Sequence, residues 1–208
     1  NNLDATNITA LRSVDGTGNT GWTFSGTTRS WIGTTTAWTT AGNWSPNGVP
    51  GTDDAVIIQP NGGPITAQPS LGADRTIGSL WIQSGAELDM DGNTLTLGDT
   101  LNNEGTIRRH LVTTPGAVAL NRTDTDSGEV IYDGGTAFQF VQDYGSNDYH
   151  DLQLDVDTTL DYGLGVAGNL EINGTLDAAG NAITLGGNWT NTGTFSNGGA
   201  ITVVDATQ

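Results

Sequence analysis

The property that most narrows what this chain can fold into is that it repeats itself. Residues 80–107, LWIQSGAELDMDGNTLTLGDTLNNEGTI, and residues 170–195, LEINGTLDAAGNAITLGGNWTNTGTF, share the pattern L-x-I, then G-x-(x)-L-D-x-x-G-N-x-[LI]-T-L-G, then N-x-G-T-[IF]. An offset of 88 residues holds from Leu88/Leu176 through Gly92/Gly180, Asn93/Asn181, Leu97/Leu185, Asn103/Asn191 and Gly105/Gly193 to Ile107/Phe195. Inside each copy a shorter beat runs, with strand-length apolar runs and turn residues alternating three times in about 20 residues, the interval of a solenoid coil. Coils of this kind stack by parallel strand pairing and turn alternate side chains into one apolar column. Ile82, Leu88, Leu95, Leu97, Ile172, Leu176, Ile183 and Leu185 are the expected inward set.

From about Pro50 onward the same alternation of short β-branched or Leu-rich runs with Gly, Asn and Asp turns continues, and apolar spacing of helical period is not sustained anywhere. The expected fold is all-β: a right-handed parallel β-helix (β-solenoid) of roughly seven coils over residues 50–208. The Gly-Asn pairs suit the corners, because residues that tolerate positive φ bend the chain at low steric cost. Asn93 and Asn181 have two readings there, as rungs of an asparagine ladder or as ordinary turn residues.

Two stretches depart from the rhythm. Residues 1–49 hold four of the six tryptophans, Trp22, Trp31, Trp38 and Trp44, in a Thr/Ser/Gly-rich context. This is expected to be an N-terminal junction or cap that covers the open end of the coil stack. Exposed rings also bind sugar faces, so Trp31 and Trp38 are the candidate glycan contacts. Residues 108–150 fit the coil poorly and are expected to loop out, a natural place for a contact surface.

Charge and composition exclude several functions. The chain has 6 Lys+Arg, all of them Arg, against 23 Asp+Glu, for a net charge of −17. Such a surface repels nucleic acid and anionic lipid, keeps exposed strands from aggregating and attracts divalent cations. With no cysteine, disulfides and thiolate chemistry are both absent. No stretch reaches the roughly 20 apolar residues of a membrane span, and no charged leader with an apolar core opens the sequence. The expectation is an exported, extracellular or cell-surface protein whose first residue is a processed or excised start.

Catalytic residues are sparse, with two histidines and no lysine, and the chain is expected not to be an enzyme. The adjacent Arg108, Arg109 and His110 would suit an anionic sugar, as in a polysaccharide lyase or hydrolase built on a β-helix, or else form a solvated turn. NRTDTDSGEV sets Asp124, Asp126 and Glu129 in one turn with oxygen ligands at alternate positions, a candidate calcium site, although the full D-x-[DN]-x-[DN]-G loop with its distant Glu is missing. No other cofactor is expected.

Three stretches resemble bacterial surface proteins built from parallel β-helical repeats, of the filamentous-haemagglutinin and autotransporter adhesin type. WTTAGNWSPNGVPGTDDAVII (38–58) resembles the opening segment of such a domain, residues 166–195 its repeating coil, and RSVDGTGNTGWTF (12–24) its closing segment. The resemblance implies a structural building unit of a surface fibre or giant adhesin, with a glycan-binding adhesin module as the alternative. Because the closing-type piece comes first and the chain stops on coil-like sequence, head-to-tail joining with copies of itself is expected. The interface would use Asn1, Leu3, Ile8, Leu11, Trp22 and Phe24 at the front and Ile201 and Val203 at the rear.

Overall fold

The structure, a computed structural model, describes residues 8–10, 22–24, 26–110, 119–134, 139–145, 148–196 and 201–203. Among them the one helical element is the 3-10 turn Ala41–Asn43. The rest is short strands, paired almost entirely in parallel, wound into a solenoid of about six turns rather than seven.

The longest sheet stacks six strands: Glu87–Asp89, Thr106–His110, Glu129–Gly134, Asp151–Leu154, Leu170–Ile172 and Trp189–Asn191. Its register runs Leu88, Ile107, Val130, Leu152, Leu170, Trp189, so one coil takes from 18 residues (Leu152 to Leu170) to 23 (Ile107 to Val130). A second face stacks Thr28–Trp31, Ala55–Ile58, Ser79–Ile82 and Leu101–Asn103, so the ladder already runs in front of residue 50. In the rear half two further columns complete each coil. One holds Gln139–Phe140, Thr158–Thr159, Thr175–Asp177 and Thr194–Ser196, and the other Leu164–Val166, Ile183–Leu185 and Ile201–Val203.

Alternation along each strand puts one side chain inward and the next outward, and all eight expected inward residues are buried. At about 1.5–3 kcal/mol for each fully buried large apolar side chain, this column is the main favourable term holding the coils together. The glycine of N-x-G-T has a steric cause. A Cβ at Gly105 would strike the Ala86 carbonyl, and one at the equivalent Gly193 would strike that of Gly174. The preceding coil's backbone passes too closely there for any side chain.

Polar ladders run outside the column, although not at the expected asparagines. Asn188 Nδ2 donates to Asn169 Oδ1 (3.0 Å), and Asn169 Nδ2 to Asp151 Oδ1 (3.1 Å), a rung-to-rung chain over three coils. Asn93 instead bonds locally to the Met90 and Asp91 carbonyls, while Asn181 reaches the Leu160 carbonyl of the neighbouring coil. The corner asparagines are turn residues, and the ladder uses asparagines at strand entries.

The front is closed by tryptophan. Trp31, Trp38 and Trp44 are 0%, 1% and 1% exposed, with Trp44 edge-on to both Trp31 (4.9 Å) and Trp38 (4.7 Å). Trp31 Nε1 donates to the Ala67 carbonyl and Trp44 Nε1 to that of Trp38. Rings enclosed this way offer no face to a sugar. Trp31 and Trp38 are therefore core residues of the front cap, and the expected glycan platform is not formed there.

Candidate functional site

Between Thr106–His110 and Asp151–Leu154 the long sheet stays paired through Glu129–Gly134, while on the other faces side chains take over work that backbone does elsewhere. Asn121 accepts from Leu97 N through Oδ1 (2.7 Å) and donates to Leu97 O through Nδ2 (2.9 Å), mimicking a paired strand residue. Gln142 does the same one coil later. Its Oε1 accepts from Ala119 N and Leu120 N, and its Nε2 donates to the Leu120 carbonyl. Buried peptide groups must be paired, and at Leu97 and Leu120 a side-chain amide supplies the donor and acceptor that a neighbouring strand supplies elsewhere. The segment does not loop out as a whole, because Glu129–Gly134 rejoins the six-stranded sheet in register.

Arg108, Arg109 and His110 lie on one strand and do not converge. Alternation sends Arg108 outward to carboxylates of Glu87 (2.9 Å) and Asp133 (3.0 Å), while Arg109 enters the core at 1% exposure. Its guanidinium donates to Tyr144 Oη (2.9 Å) and Gln142 Oε1 (2.5 Å) and lies 4.9 Å from the centre of the Tyr132 ring. Tyr132 and Tyr149 share a hydroxyl hydrogen bond (2.7 Å), and Tyr149 Oη also donates to the Gln142 carbonyl. A buried cation is tolerated here because oxygen acceptors and a ring face replace its water. This polar cluster divides the apolar column into a front core ending at Leu120 and a rear core beginning at Tyr132.

The proposed calcium ligands are otherwise engaged. Asp124 Oδ2 accepts from Asn103 N (2.6 Å), capping the edge of Leu101–Asn103, and its Oδ1 accepts from Asp126 N. Burial, then the contact with Asp126, raises the Asp124 pKa; burial, then Asp151 and Glu171, raises that of Glu129. Glu129 belongs to the outer acidic face of the long sheet, not to the Asp124 turn. Among the described residues no group of three or more His, Cys, Asp or Glu is placed to hold a metal ion. Of the proposed assembly residues, Asn1, Leu3 and Leu11 lie outside the described residues. Ile8, Trp22 and Phe24 fall on the parallel pair Ile8–Ala10 and Trp22–Phe24, and Ile201 and Val203 on the last strand.

Beside the Arg109 cluster the surface is concave. Two adjoining hollows share Asp143, Tyr162, Gly163 and Leu164. One runs inward to Gln142, Asp148 and Asp161, the other outward to Gly145, Gly165 and Thr184. At the inner end, Asp148 is 1% exposed, accepting from Tyr144 N (2.7 Å) and Gly165 N (2.8 Å). Burial lifts its pKa to about 6, those two N–H bonds hold it down in part, and neighbouring Asp143 raises it further. Asp161 Oδ2 is buried without a hydrogen-bond partner. Tyr162, at 51% exposure, stands at the rim. Sequence reading missed this groove because its walls come from three segments, around residues 141–148, 160–165 and 182–184, brought together only by the stacking of one coil on the next.

Comparison with known proteins adds one finding. The sequence model of a domain family described as having unknown function matches residues 30–145, more than half of the 208 residues. No curated protein and no solved structure matches.

Proposed function

The chain belongs to the DUF8693 family, and we propose that it is a structural unit of an extracellular fibre or giant surface adhesin, joined end to end to copies of itself. The observation that carries this reading is the continuous parallel ladder, six strands deep on its longest face and closed over an apolar column. Coils held by backbone bonds directed from one coil to the next resist extension and proteolysis along the stack, a mechanical property with no use in small-molecule chemistry. The net charge of −17 supports an exposed, soluble rod and disfavours nucleic acid or an anionic membrane as partner.

The joining mechanism rests on two sets of strands. Ile8–Ala10 and Trp22–Phe24 pair in parallel with each other and, among the described residues, with no other strand. At the other end Trp189–Asn191, Thr194–Ser196 and Ile201–Val203 are, among the described residues, each the last strand of their sheet. Strand edges attract further strands, so the front pair of one copy continues the rear sheets of the preceding one. Sedimentation and negative-stain images of the purified chain should show concentration-dependent end-to-end oligomers. Deleting residues 1–24 should return the chain to monomer, and unchanged polymerisation of that deletion would count against the mechanism.

A further inference from the structure

We propose that the groove at Tyr162 is a binding site for an uncharged pyranose glycan. The groove combines three groups that a sugar ring requires together. Tyr162 gives a half-exposed aromatic face for the ring's C–H surface, and it and Trp81 are the two exposed large hydrophobic residues among those described. Asp143 and Asp161 place carboxylates on the wall of the inner hollow as acceptors for hydroxyl donors. Gly163 is exposed and leaves the adjoining backbone uncovered, so a flat ligand approaches closely there, and Thr184 lies at the outer end.

The ligand's charge follows from what surrounds the groove. Asp143, Asp148 and Asp161 line it, and none of the described arginines does, so a uronic-acid or sulfated sugar is repelled. A bare metal ion is disfavoured too, since Asp148 is committed to two backbone N–H groups and, among the described residues, no set of three ligating side chains forms. Concavity with a few placed polar groups sets this place apart from Trp81, which stands on a strand, Ser79–Ile82, paired on both sides, and lines neither hollow.

Titration calorimetry of the whole chain with cellohexaose, chitohexaose and mannohexaose, and with tetragalacturonate as the anionic counterpart, tests the site. At least one neutral hexasaccharide should bind and tetragalacturonate should not. Tyr162→Ala should weaken binding about tenfold, as expected for loss of an aromatic contact, with Tyr162→Phe within about twofold and Trp81→Ala unchanged. Tyr162 is half in solvent, so the melting temperature of all three variants serves as a check that they fold. Absence of binding by every neutral oligosaccharide, preference for tetragalacturonate, undiminished binding by folded Tyr162→Ala, or loss on Trp81→Ala would each overturn the proposal.

Discussion

Residues 80–107 and 170–195 are two copies of one sequence pattern, yet they do not occupy equivalent places in the solenoid. Ser79–Ile82 belongs to the front sheet, whereas its counterpart Leu170–Ile172 lies in the six-stranded sheet. Glu87–Asp89 lies in the six-stranded sheet, whereas its counterpart Thr175–Asp177 belongs to the next column round. The second copy is thus rotated by one face relative to the first. The pattern dictates which residues form strands, which point inward and where the corner falls, while the column each strand joins depends on the intervening segment. A coil has no privileged face as long as each presents one apolar row to the axis.

If face is immaterial, equivalent core positions should be worth the same. Leu88 and Leu176 are both 0% exposed and occupy the same place in the pattern on different columns. Leu88→Ala and Leu176→Ala should each lower the unfolding free energy by about 3 kcal/mol, the typical loss for a buried leucine. Matched urea denaturation curves check it. A difference of more than about 1 kcal/mol between them would mean that the column does matter, because the chemistry removed is identical.

The segment between the copies should behave differently from both, since it alone buries a carboxyl group of strongly raised pKa. Asp148, with a pKa near 6 in the folded protein against an ordinary 3.8, holds its proton more tightly when folded than when unfolded. Stability therefore falls as pH rises from about 4 to about 6, by an amount on the order of 2 kcal/mol. Asp148→Asn should flatten that slope whatever it does to absolute stability, because the titrating group is gone while the rest of the fold is kept. Melting temperatures at half-unit pH steps read the slope directly, and an unchanged slope in the variant would assign the effect to other carboxyls.

The same contrast explains what sequence could reveal. The inward leucines and isoleucines were legible because period-two alternation and the repeat point to the same residues, and the tryptophan-rich front was legible as a cap. Arg109, read with Arg108 and His110 as a sugar contact or a solvated turn, is a core residue, although its register is readable: Ile107 aligns with Leu88, so Arg109 falls beside Met90 on the inner row. Its charge suggested solvent, and nothing local announces that Gln142 and Tyr144, more than thirty residues on, will complete its shell. Asp124 has a structural role that its local sequence does not announce. A ligand-like spacing of carboxylates is also a spacing that caps strand edges, and the edge in question, at Asn103, lies one coil away.

The smallest test of the comparison lies at the corner the two copies share. Asp91 and Ala179 both adopt φ of +49°, each followed by a glycine with positive φ, and each turn is closed by an asparagine N–H onto the residue before it, Asn93 to Met90 and Asn181 to Ala178, both at 2.8 Å. Two successive left-handed residues match the handedness of a primed turn, which favours Gly, Asn or Asp and disfavours alanine. The first copy obeys this preference and the second does not. Both turns also gain a bond from the preceding aspartate, Asp89 Oδ1 accepting from Asp91 N and Asp177 Oδ1 from Ala179 N, so the side chain at the turn itself is what differs. Ala179→Gly should therefore stabilise by about 0.5–1 kcal/mol, since the left-handed strain it relieves outweighs the added freedom of the unfolded chain. Asp91→Gly should be neutral or slightly destabilising, because aspartate already tolerates the conformation. Denaturation midpoints of the two variants decide it: equal responses would show that the corners are held by the stacked coils on either side and not by their own residues.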